Sequence, residues 1–235
     1  MFGFSPAEKA FFGPLAVFLG VMMFGQMVGS AFDGRAFWLC SSPQYWVHPA
    51  QIAICSVLLF RWWRFYEWRP PARVFFTVFI GILALVLWVS PLAYVGEKFF
   101  GLDPRKSGFD PAFFGVGGLP YFLNLGCRFV RLVIIVPLVE EIFWRGFMLR
   151  WLIDSDFTKV PFGTFQWKSF SIVALLFMLE HTPPDWPAAL LTGALFNLVA
   201  IRTRSLSSCV LVHAITNLGL GIYILRDLPE RSGFW

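Results

Sequence analysis

The chain has 235 residues, 57% of them apolar and 14% charged, and carries 29 Phe and 11 Trp. Soluble domains run nearer roughly 45–50% apolar and about a quarter charged. A soluble globule of this size has too little interior for so many greasy side chains, and a disordered chain would lack them. The net charge of +5 has no basic stripe interleaved with polar residues behind it, so nucleic-acid binding is not indicated; basic loops on one side of a lipid bilayer explain it. The expected class is an all-α, polytopic integral membrane protein.

A membrane helix needs about 20 mostly apolar residues. Runs at 11–32, 46–60, 74–95, 121–149, 169–186, 188–201 and 206–225 predict about seven spans. An eighth helix has room between 108 and 120, inside a Gly/Pro-rich and charged interval where Phe113 and Phe114 suit the membrane interface. No repeat or linker divides the chain. One membrane domain over 1–235 is expected, with accessory helices in 1–120 and a working core in 121–225. Lys and Arg number eleven on the side that would hold the N-terminus and six on the other. That bias predicts a cytoplasmic N-terminus and an external C-terminus. Cys55 and Cys209 lie in apolar runs and read as packing residues. Cys40 is the candidate for a disulfide.

Charge in a bilayer core is costly and marks function or tight pairing. The first half of the chain has almost none in its spans; the second half has a cluster. Glu141 and Arg145 are four apart, share a helix face and can pair. Glu140 points about 100° away, which leaves one carboxylate for other work. His181 falls just before Thr182, Pro183 and Pro184, one turn after Phe177. Those prolines end the helix and free carbonyls beside the ring. Glu180, next to it, reads as a supporting or cavity-lining group. His213 and Asn217, four apart, offer two polar groups at one point, as an oxyanion requires; interhelical glue is the plainer reading of that pair alone. Asn197 and Thr192 either line the cavity or bond to a neighbour. For Arg128 and Arg131, snorkelling is expected over binding of lipid phosphate or a substrate carboxylate.

Glu140, His181, His213 and Asn217 come from three helices and can meet in one layer. A carboxylate, two imidazoles and an amide suit base-assisted attack of water on an acyl carbon.

These residues form the motifs EExxxR (Glu140, Glu141, Arg145), FxxxH (Phe177, His181) and HxxxN (His213, Asn217). In that order, the sequence resembles the CAAX protease and bacteriocin-processing (CPBP) family over about 121–225. Stretches such as GTFQWKSF and RTRSLSSCVLVHAITNLGLGIYI are similar to a bacterial subgroup that accompanies the exosortase and PEP-CTERM sorting system. The resemblance implies an intramembrane endopeptidase of the bacterial inner membrane, acting on a membrane-anchored or lipidated protein. In it Glu140 activates water with help from His181, His213 and Asn217 stabilise the oxyanion, and Glu141 and Arg145 hold the site without a cofactor. Two alternatives stand beside it. One is a zinc enzyme with Glu140, His181 and His213 as ligands. The other is a non-enzymatic scaffold, immunity factor or ion or proton carrier.

Overall fold

A computed structural model describes residues 3–32, 37–90 and 109–226. Helix α1 (Pro6–Ala31) starts on a capping box: Ser5 Oγ accepts from the Glu8 amide, and the Glu8 carboxylate accepts from the Ser5 amide, with Pro6 in the first turn. A short helix α2 (Trp38–Ser41) leads into α3 (Gln44–Arg61). Helix α4 (Val74–Val89) follows a left-handed Arg73. Helix α5 (Leu119–Trp151) is the longest. Its course alternates: α-helical to Val130, π-helical over Arg131–Ile135, α-helical over Val136–Glu141, then π-helical again over Ile142–Met148. Helices α6 (Trp167–Glu180), α7 (Trp186–Thr203) and α8 (Leu206–Arg226) complete the set, and no strand occurs among the described residues.

Among the described residues, four helical stretches are long and apolar enough to cross a membrane: Pro6–Ala31, Leu119–Trp151, Pro183–Thr203 and Leu206–Arg226. The expected count of seven is therefore met only in part. Helix α3 carries His48 and Gln51, both buried, which lower its hydropathy. Helix α4, with 16 residues, spans about 24 Å, short of the roughly 30 Å hydrocarbon core. The end of that expected span beyond residue 90 lies outside the described residues. Helix α6, with 14 residues, ends at Glu180 because Pro183 and Pro184 cannot continue it; the chain turns through a 3₁₀ segment, Pro183–Asp185, into α7. Residues 109–118 form turns and bends, so no eighth helix lies there, and residue 108 lies outside the described residues. Phe113 and Phe114 pack instead on Tyr45, whose hydroxyl donates to the Asp110 carbonyl at 2.7 Å. The cysteines are free thiols, Cys40 among them.

The packing places the second half of the chain around α5. Helix α8 lies against α4 and both π segments of α5, α7 lies against α6 and α4, and α1 pairs with α3. The α4–α8 approach is close: a Cβ at Gly81 would stand 2.9 Å from Ile215 Cγ2. Without that side chain the Gly81 carbonyl is reached by Thr216 Oγ1 at 3.1 Å. Gly193 does the same for α6 and α7, where a Cβ would meet Phe177 at 3.1 Å and the Ala174 backbone at 3.3 Å. Ser205 and Ser208, at the start of α8, bond the backbone of residues 69, 70 and 72, fixing the entry of α4 against α8.

Candidate active site

Both glutamates of the pair sit at the end of the one-and-a-half-turn α segment between the π segments of α5. π turns occur often at functional sites because they break the regular ladder and re-aim side chains. Glu141 and Arg145 are both fully buried. Glu141 Oε1 accepts from Arg145 Nη1 at 3.0 Å and from His213 Nδ1 at 2.8 Å. Arg145 is held on every side: Nε donates to Asn197 Oδ1 at 3.1 Å, Nη2 to the Gly193 carbonyl at 3.2 Å, and the guanidinium lies 4.8 Å and 5.4 Å from the Phe177 and Phe196 ring centres. Asn197 in turn donates to the Phe170 carbonyl at 3.0 Å. One buried ion pair thus connects α5, α6, α7 and α8. A pair this dry is stabilising only where its hydrogen bonds are in place; Arg145 has its acceptors, while Glu141 Oε2 is buried without a partner among the described residues.

Glu140, the neighbour, is treated differently. It is buried and makes no ion pair or side-chain hydrogen bond among the described residues; its Oε2, like Glu141 Oε2, is without a partner there. The charged groups whose fields reach it are Glu180, Glu141, Arg145 and Arg131. Glu180 is anchored from α5, since Trp144 Nε1 donates to its Oε2 at 2.8 Å. Trp144 lies inside the EExxxR motif yet escaped the sequence reading. A buried indole N–H needs an acceptor, and Glu180 was the acidic group left over.

His181 caps α6. Its Nδ1 lies 2.8 Å from the Phe177 carbonyl, and its ring centre is 4.9 Å from Phe177 and 5.2 Å from Trp88. A carbonyl can only accept, so Nδ1 carries the proton and Nε2 of the neutral ring presents a lone pair. The same logic applies to His213, whose Nδ1–H is given to Glu141. Phe177 stands among Arg145, His181 and His213, with 6.4 Å between its ring centre and that of His213. The Phe of FxxxH is therefore a shared wall of the site.

Asn217 stands apart from this network. Its Nδ2 donates to the Leu132 carbonyl at 2.9 Å. In the first π segment the Val136 amide reaches back to Arg131, and the same register would assign the Leu132 carbonyl to residue 137. That residue is Pro, which has no N–H to give. The Asn217 carboxamide supplies the missing donor and keeps a second N–H.

Arg128 and Arg131 do not snorkel. Arg128 is buried, 3.5 Å by Nη1 from His48 Nε2. Arg131 Nε donates to Gln51 Oε1 at 2.6 Å, and its guanidinium covers Phe18 at 4.9 Å. The expectation fails because α3 brings His48 and Gln51 against this face of α5, giving the guanidinium groups polar contacts inside the protein. Two polar residues in an otherwise apolar run were the signal in the sequence.

Among the described residues, no three His, Cys, Asp or Glu side chains group as a metal site, and Glu140, His181 and His213 do not make such a set.

Residues 123–219 match the model of a family described as type II CAAX prenyl endopeptidase, Rce1-like. The matched stretch contains all three motifs and agrees with the resemblance drawn from them. No curated protein and no solved structure matches the chain.

Proposed function

We propose that this chain is an intramembrane endopeptidase that hydrolyses a peptide bond of a membrane-anchored or lipidated protein, with Glu140 as the base that activates water. The observation that carries this reading is the division of labour in the glutamate pair. Glu141 commits its Oε1 to Arg145 and His213, whereas the Glu140 carboxylate makes no hydrogen bond or ion pair among the described residues; each keeps a buried Oε2 without a partner. The motifs around it lie in the stretch matched by a protease family.

In this mechanism Glu140 takes a proton from water as the oxygen bonds to the scissile carbonyl carbon. The carbonyl electron pair moves to oxygen. Collapse of the tetrahedral intermediate expels the amine, which takes the proton back from Glu140. His181 assists through its Nε2 lone pair. His213 donates to the oxyanion only as an imidazolium, from Nε2, with Glu141 as its counter-charge. Asn217 contributes its second N–H, positioned by the bond to Leu132. Glu141, Arg145 and Asn197 hold the helices that carry these groups. The protein would lie in a bacterial inner membrane with a cytoplasmic N-terminus and an external C-terminus, and clients of the exosortase sorting system are candidate substrates.

The test compares C-termini of membrane-anchored proteins in cells expressing the natural chain or Glu140→Gln. Base catalysis contributes about 10²–10⁴-fold, so cleaved C-termini should be lost in the variant while the protein folds and inserts. A folded Glu140→Gln protein that yields the same C-termini overturns the assignment.

A further inference from the structure

Helix α4 carries none of the three motifs and lies outside the stretch matched by the protease family. Its last turn nevertheless reaches the site. The Trp88 ring centre stands 5.2 Å from that of His181, with the two planes tilted by 51°. That spacing is inside the range of about 4.5–7 Å in which aromatic rings attract.

The register of α4 brings the indole there. Phe75, Phe79, Ile82 and Val86 are exposed and recur at the helical period, so they form the outer stripe of the helix. Trp88 lies two residues past Val86, about 200° around, and is half-buried. It is turned inward and is no interfacial anchor. Leu85 and Gly81, about one and two turns earlier on the same side, are the residues that meet α8. A Cβ at Gly219 would collide with Leu85, and one at Gly81 would stand 2.9 Å from Ile215 Cγ2. These close approaches set how far into the site α4 delivers Trp88.

His181 needs such a neighbour. It lies beyond the last residue of α6, on extended backbone with φ −91° and ψ 165°, so no helical turn restricts its rotamer. Its backbone carbonyl accepts from Trp186 Nε1 at 3.1 Å, and its ring gives Nδ1–H to the Phe177 carbonyl. A ring held by one hydrogen bond can still pivot about it. Phe177 belongs to the same helix as that bond; Trp88 approaches from a different element and blocks the pivot.

We propose that Trp88 is a positioning residue, which holds the His181 imidazole in the orientation that presents Nε2 to the site. Its part in catalysis rests on the protease reading; its hold on the ring does not. A misplacement of about 1 Å at a reacting group can cost about a hundredfold in rate, so fixing this ring matters beyond the stability it adds.

The chain has three His. The full chain in detergent, labelled with carbon-13 in the imidazoles, therefore gives three sets of ring signals by NMR, assigned with His48→Gln, His181→Gln and His213→Gln. Trp88→Leu removes the indole ring current and should move the His181 signal while those of His48 and His213 stay. Trp88→Phe keeps a smaller ring and should move it less; this variant carries the test if Trp88→Leu does not fold. In cells at equal protein level, cleaved C-termini should fall about tenfold in Trp88→Leu and recover for the most part in Trp88→Phe. An unmoved His181 signal overturns the proposal, and so does movement of all three signals together, which a merely structural role would give. Undiminished cleavage by a folded Trp88→Leu protein, where cleavage depends on Glu140, overturns it as well. Cleavage that survives Glu140→Gln would instead sink the protease reading, and the His181 signal would still decide whether Trp88 holds the ring.

Discussion

Arg145→Met should damage the protein more than any exposed charge deletion, and the structure says by how much. Methionine fills much of the volume but removes three hydrogen bonds, to Glu141, Asn197 and Gly193. The gross loss is dominated by Glu141, fully buried and left with His213 alone. Stranding one member of a buried pair costs about 3–5 kcal/mol. For a chain of this size that is a fall in Tm of roughly 6–20 °C. Thermal unfolding in detergent, followed by circular dichroism, measures it. The double variant Glu141→Leu with Arg145→Met separates causes. If uncompensated charge is the main cost, removing both charges should recover a large share of the lost stability. An Arg145→Met protein within 2 °C (about the scatter of such a measurement) of the natural chain, or a double variant no more stable than the single one, would refute the reasoning.

Other consequences follow from single contacts. Asn217→Leu removes the donor for the Leu132 carbonyl and should destabilise by about 1 kcal/mol; adding Pro137→Ala returns a backbone N–H and should recover it in the same unfolding assay. Gly193→Ala forces a methyl group against Phe177 and the Ala174 backbone and should cost about 1–3 kcal/mol by overpacking, read as a lowered Tm. Trp144→Phe frees Glu180 from its donor and should lower the cleavage rate more than it lowers Tm, because Glu180 is one of the charges that bear on Glu140. Prolonged chelation followed by metal analysis should leave cleavage intact in metal-free protein; loss of cleavage restored by zinc would require the alternative mechanism.

The sequence foretold the helical class and the Glu141–Arg145 pair, because these depend on composition and local spacing. The pair forms even though a π segment begins at Ile142, since a four-residue offset still brings the side chains together. Asn197, read as either lining or bonding, bonds to Arg145. Contacts between distant segments were not legible. Nothing in the spacing of His213 and Asn217 says that the first bonds Glu141 while the second repairs the backbone beside Pro137. That assignment depends on the π register, which local sequence does not display. Among the described residues four of the expected spans are long and apolar enough to cross a membrane; helices buried against neighbours can be short or polar, and apolar runs alone do not distinguish them from lipid-crossing ones.

The links from α5 to the first half of the chain bear on where the molecule can be cut. Arg131 depends on Gln51, and Arg150, nearly buried, depends on Glu67 at 2.6 Å and rests 5.6 Å from the Phe11 ring. A fragment beginning near residue 121 would hold every motif yet strand two guanidinium groups in oil. Supplying the missing N-terminal piece in trans should rescue such a fragment; supplying more lipid should not. The amino-terminal helices are thus the counterweight that lets a charged helix stand in the membrane.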